Sequence, residues 1–168
     1  TPNHVYPDDG IYTVTLTVTD DGGGVGSDSL IVMVNNVLPT VNAGPDQAAN
    51  EGDIVNFIGS FNDPGLLDTH TFEWNFGDGS PTVTGTLALN HVYADNGTYI
   101  VTLAVTDDDG GVGTDTLIVM VNNVAPAVNA GLDQTVSEGD TVNFSGSFTD
   151  PGSLDTHIFE WDFGDGSP

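Results

Sequence analysis

The sequence runs to 168 residues and carries 25 Asp and Glu against no Lys and no Arg, a formal charge of −25. It has no cysteine, which excludes disulfides and thiolate chemistry. Nucleic acid and anionic membranes both need a basic footprint, so neither is an expected partner. No apolar run is long enough for membrane insertion.

Internal repetition is the strongest signal. Residues 1–81 align on 88–168 without a gap; 22 of the 81 pairs differ, leaving 59 identical at an offset of 87. Exposed strand positions differ freely, as in Thr13 and Ile100, while turn residues and inward apolar positions are almost all kept. Two proline-bearing joints, Asn35-Asn36-Val37-Leu38-Pro39 and Asn122-Asn123-Val124-Ala125-Pro126, mark the natural unit. By that division 1–37 is the back half of a repeat, 38–124 is complete, and 125–168 is the front half of another. The sequence does not begin with methionine and is expected to be a piece of a longer chain.

In chain order, the first half-repeat opens with Asp8-Asp9-Gly10-Ile11-Tyr12 and closes with the apolar run Leu30–Val34. The complete repeat predicts seven short strands: Val41–Ala43, Asp53–Gly59, His70–Phe76, Thr82–Thr86, Ala88–Tyr93, Tyr99–Thr106 and Thr114–Val121. Phe72, Trp74 and Phe76 alternate onto one face of the third, and Gly77-Asp78-Gly79 then supplies a tight turn. Tyr99, Val101, Leu103 and Val105 alternate in the same way. Asp95-Asn96-Gly97-Thr98-Tyr99 has the form of a tyrosine corner, and Val101 stands where an antibody domain has its second cysteine. The last front half repeats the tryptophan strand as Phe159 to Phe163, around Trp161. Short strands, frequent turn signals and no helical period predict an all-β, immunoglobulin-like, antiparallel two-sheet sandwich built as tandem 87-residue repeats.

The runs Trp74-Asn75-Phe76-Gly77-Asp78-Gly79-Ser80, His91-Val92-Tyr93 and Gly97-Thr98-Tyr99-Ile100-Val101-Thr102-Leu103-Ala104-Val105-Thr106-Asp107 together resemble the PKD domain family. The likeness covers essentially all of the chain. It implies an immunoglobulin-like sandwich with no activity of its own, of a kind found in tandem in secreted and surface proteins. The expected role is therefore a spacer, adhesive or assembly module and not an enzyme. The expected location is extracellular or at the cell surface.

The placement of the acids carries the remaining chemistry. In a sandwich of this order the loops Asn62–Asp68 and Asp107–Asp115 should meet at the end where the chain enters the repeat. Asp63, Asp68, Asp107, Asp108, Asp109 and Asp115 could then converge with the arriving Asn35 and Asn36. Asp20, Asp21 and Asp28 of the first half and Asp150 and Asp155 of the last hold the corresponding positions. Oxygen ligands on glycine-containing loops suit calcium, which takes six to eight of them. The opposite end of the repeat carries Asp46, Glu51, Asp53, Asp78 and Asp95, and should face the acid-rich end of the next repeat. Two carboxylates about 4 Å apart repel by roughly 4 kcal/mol at an effective dielectric near 20. Two such ends should not stack without a cation. The competing reading is a solvated surface, with single aspartates capping turns; Asp78 and Asp95 fit that role. His4, His70, His91 and His157 read as buried hydrogen-bonding residues.

Thr114–Val121 is apolar on both faces, as is Leu30–Val34, which predicts that both faces are covered. Ile31, Met33, Ile118 and Met120 are the candidate contacts between repeats or chains. The expected partner is the chain itself, either as one long array or as a head-to-tail polymer completing split repeats, in a fibre or surface stalk. The alternative is a polysaccharide- or protein-binding accessory module of a secreted hydrolase or adhesin, which should show a row of exposed aromatics.

Overall fold

The computed structural model describes residues 1–166. Its strands are β1 (Gly10–Thr19), β2 (Val25–Val34), β3 (Thr40–Asn42), β4 (Gln47–Asn50), β5 (Ile54–Ile58), β6 (Ser60–Asn62) and β7 (His70–Asn75). They continue as β8 (Val83–Thr84), β9 (Ala88–Val92), β10 (Gly97–Asp107), β11 (Val112–Asn122), β12 (Ala127–Asn129) and β13 (Ser147–Thr149).

The alternation in β10 organises the complete repeat. Val101, Leu103 and Val105 are fully buried. Across from them β11 sets Leu117 opposite Val101, and β7 sets Trp74 opposite Leu103. These strands form a five-stranded sheet in the order β4-β11-β10-β7-β8. The pairs β5-β9 and β3-β6 cover its inner face. Phe57 of β5 packs on Trp74 and Phe76 with ring centroids 5.6 and 5.5 Å away. Burying side chains of this size stabilises by about 1.5–3 kcal/mol each. The Trp74 indole N–H donates to the Thr86 carbonyl at 3.1 Å, so the one polar atom of the ring is satisfied. Tyr99 closes the expected corner, its hydroxyl donating to the Asp95 carbonyl at 2.9 Å. Val101, wholly buried in this core, fills the disulfide position with apolar packing.

Two features depart from the strand pattern read in the sequence. The strand expected over Asp53–Gly59 is β5, and a second short strand that was not expected, β6, follows it. β5 pairs with β9, and after Gly59 the chain enters β6, which pairs with β3 instead. A Cβ at Gly59 would collide with the Leu103 side chain and press on the Trp74 ring, so glycine is what lets the chain cross over this part of the core. In addition, Gln47–Asn50 forms β4, parallel to β11 from Val119 to Asn122. The other strand pairings of the described residues are antiparallel.

The flanking halves repeat parts of this scheme in the same register. β1-β2 runs from Gly10 opposite Val34 to Thr19 opposite Val25, as β10-β11 runs from Gly97 opposite Val121 to Thr106 opposite Val112. β12-β13 reproduces β3-β6. Their inward faces, however, are open. Leu16 is 68% exposed where Leu103 is 0%, and Phe144 is 51% exposed where Phe57 is 1%.

Candidate metal sites at the joints between repeats

Both joints use the same surfaces. At the upper joint the Leu66 N–H donates to the Pro7 carbonyl at 2.9 Å; at the lower, the Leu154 N–H donates to the Ala94 carbonyl at 3.3 Å. Pro7 and Ala94 are repeat counterparts. The loop after β6 of one repeat thus seats against the turn before the tyrosine corner of the repeat above it.

At the upper joint Asp63, Asp68 and Asp107 each bring a carboxylate oxygen within 4.8 Å of the others. Asp68 with Asp108 and Asp109, and Asp109 with Asp8 and Asp9, meet the same limit. Asp107 is buried; it accepts the Gly111 N–H at 2.6 Å and the Asn36 amide at 2.8 Å. Asn36 therefore arrives at this loop from the preceding half-repeat. Asp63 accepts the Gly65 N–H and pairs with His70 Nε2, both at 3.0 Å. That His70 bond outweighs burial and holds the Asp63 carboxyl below the usual range. Asp108 is also lowered, first by the Thr69 N–H. Asp68 goes the other way: burial, then the charges of Asp63, Asp8, Asp108 and Asp107, push it up. Asp109 is pushed up to about 6 by burial and by Asp9, Asp108 and Asp8. Asp68 keeps a buried oxygen without a hydrogen-bond partner.

At the lower joint the corresponding loop brings Asp150 and Asp155 together with Glu51, a residue not among the sequence-predicted ligands. Asp150 is bonded as Asp63 is, to Gly152 N–H at 3.0 Å and His157 Nε2 at 2.8 Å, and is lowered mainly by His157. Burial and the Glu51 charge raise Asp155. The signal for Glu51 in the sequence is local. Glu51-Gly52-Asp53 recurs unchanged as Glu138-Gly139-Asp140, while the three residues before it all differ between copies.

Four predicted ligands fall outside these groups. Asp115 accepts the Ala43 N–H at 2.8 Å and so clips β11 to the strand that enters the repeat. Asp20 accepts the Gly24 N–H at 2.7 Å within its own turn. Asp21 and Asp28 are exposed and join no cluster among the described residues. The open β1-β2 hairpin lacks the neighbouring loop that gives Asp107 and Asp108 their company.

Three histidines pair with aspartates: His70 with Asp63, His157 with Asp150, and His91 with Asp78 at 2.6 Å. His4 is exposed, contrary to expectation, and makes an edge contact with Tyr6 at 4.7 Å. Its counterpart His91 is stacked on Phe76, and no such strand covers His4. Asp78 caps its turn, accepting the Ser80 N–H at 3.0 Å. Ile31, Met33, Ile118 and Met120 all lie on outward strand faces, 42–68% exposed, and Ile118 faces the exposed Ile100 across β10-β11. The expected covering of both faces is not met among the described residues. The exposed large apolar side chains of the complete repeat are all aliphatic.

A two-sheet sandwich with a tyrosine corner, repeated in register and joined end to end, defines an immunoglobulin-like tandem module. The PKD domain pattern matches residues 1–34, 36–121 and 123–168, and the chain belongs to the PKD domain family. Among solved structures, the PKD1 domain of Vibrio anguillarum Epp is similar at 27% identity over 52% of this chain and 96% of its own, with a TM-score of 0.42. No helix of the described residues is long and apolar enough to cross a membrane.

Proposed function

We propose that the chain is a non-catalytic structural spacer, extracellular or at the cell surface, whose repeats are stiffened at their joints by calcium. The observation that supports this most is the duplicated joint. The same two surfaces meet twice, through Pro7–Leu66 and Ala94–Leu154, and acids gather at each contact. The chain has no Lys or Arg to offset them. Hard oxygen donors on loops suit calcium. The partner under this reading is the chain's own kind. The open faces around Leu16 and Phe144 carry the residue types that pair in the complete core, so each half is matched to the complementary half of another repeat. That geometry builds a fibre or stalk.

The test is thermal melting of metal-stripped protein with and without millimolar calcium. A ligand at roughly 100 times its Kd adds about 2.7 kcal/mol. The expected result is a raised Tm that chelator reverses; an unchanged Tm rejects the joint-cation reading.

A further inference from the structure

We propose that Glu51, Asp150 and Asp155 form a calcium site that straddles the lower joint, with Glu51 as the ligand that locks one repeat to the next. This rests on the joint-cation reading and assigns it a specific ligand from the upper partner of the joint.

Glu51 is 1% exposed. One carboxylate oxygen accepts the Val124 N–H at 2.6 Å, while the other, Oε2, is buried with no hydrogen-bond partner. A buried anionic oxygen without a partner is costly, and the chain offers no Lys or Arg to meet it. The Glu51 carboxyl lies against the next repeat. A Cβ on Gly152 would lie 2.9 Å from the Glu51 carboxyl carbon and 2.7 Å from Asp155 Oδ2. A Cβ on Gly52 would lie 2.8 Å from the Pro151 side chain. The two segments are therefore in direct contact, and glycine on each side permits the approach. One oxygen from each of Glu51, Asp150 and Asp155 falls within 4.8 Å of the others. Oxygens at 2.3–2.6 Å from a shared calcium can be at most about 5 Å apart, so these three fit one coordination shell.

Glu51 also holds the chain where it leaves the complete repeat. Its N–H donates to the Asn122 carbonyl at 3.0 Å, at the end of β11, and its carboxylate holds Val124 in the linker that follows. A cation drawn onto Oε2 by Asp150 and Asp155 ties the linker, the repeat above and the repeat below to one point. The competing occupant of this space is a proton shared between Asp155 and Glu51.

The experiment is a calcium titration of the metal-stripped full chain followed by amide NMR, for the native sequence and for Glu51→Gln. Glutamine keeps an oxygen for the Val124 N–H and removes the charge. In the native chain the Gly152 and Val124 amides should shift with calcium. In Glu51→Gln their response should weaken by about tenfold or more, as ligand charge sets calcium affinity, while Gly65 and Leu66 at the upper joint respond as before. If the lower-joint amides ignore calcium while the upper-joint ones respond, this site is wrong and the general reading survives. The site is equally rejected if Glu51→Gln changes nothing, or if the lower joint moves with pH alone. Silence at both joints overturns the two together.

Discussion

Glu51 and Val124 are joined by a 2.6 Å hydrogen bond from the linker N–H to a carboxylate that is almost wholly buried. A charged acceptor makes this a strong bond, and it fixes the direction in which the chain leaves the complete repeat. The joint is thus set by side chains within the repeat and not by the linker alone. Gly152→Ala should disturb it, because the new Cβ would press on both Asp155 and Glu51. The expected outcome is weaker calcium binding at the lower joint with the melting of the complete repeat unchanged, measured by calorimetric titration beside thermal melting.

The core makes a sharper mutational contrast. Trp74 is 0% exposed and Trp161, its copy, is 43% exposed. Trp74→Ala should cost about 3–5 kcal/mol and erase the cooperative transition of the complete repeat. Trp161→Ala should leave that transition within about 0.5 kcal/mol of the native value. Denaturant melts followed by far-UV circular dichroism separate the two.

Tyr99→Phe removes the corner bond to the Asp95 carbonyl and should destabilise the complete repeat by about 0.5–1.5 kcal/mol. Tyr12 makes the equivalent bond to Asp8 at 3.0 Å, on a hairpin whose inward face is open. Tyr12→Phe should leave the melting midpoint of the complete repeat where it is.

Stability should fall in acid through Asp78. Burial pushes this carboxyl up, but hydrogen bonds from Ser80 and His91 outweigh it, so the folded value lies below the ordinary 3.8. A group with a depressed folded pKa contributes stability above its unfolded value, and loses it as pH falls through the folded one. Asp78→Asn should therefore be less stable than the native chain at neutral pH, with the gap closing below about pH 4. Urea midpoints across pH give the comparison.

The outward apolar residues are a candidate lateral contact. Replacing Ile118 and Met120 together by threonine should reduce concentration-dependent association, read by sedimentation, without lowering the melting temperature. Equal association in both proteins would remove them from the interface.

The sequence made some of this legible and hid the rest for physical reasons. β10 could be read because its buried side alternates strictly with its outer side, and the corner could be read because Gly97 and Tyr99 have fixed spacing. β4 could not, since Gln-Ala-Ala-Asn has no strand preference; it is a strand because β11 offers a free edge. The grouping of Asp63, Asp68 and Asp107 followed from knowing which loops share an end. Asp115 lies beside them in the chain, but one of its oxygens accepts the Ala43 N–H and it joins no acidic group among the described residues. Glu51 was legible as an acid at the end that faces the next repeat, but its burial was not, because a glutamate beside a turn glycine carries no apolar pattern.

The most direct measurement is small-angle X-ray scattering of the full chain in excess calcium and again after chelation. Calcium-stiffened joints predict one extended shape with calcium and a broader, more compact distribution without it, restored when calcium returns. Superimposable profiles in the two conditions would contradict the account.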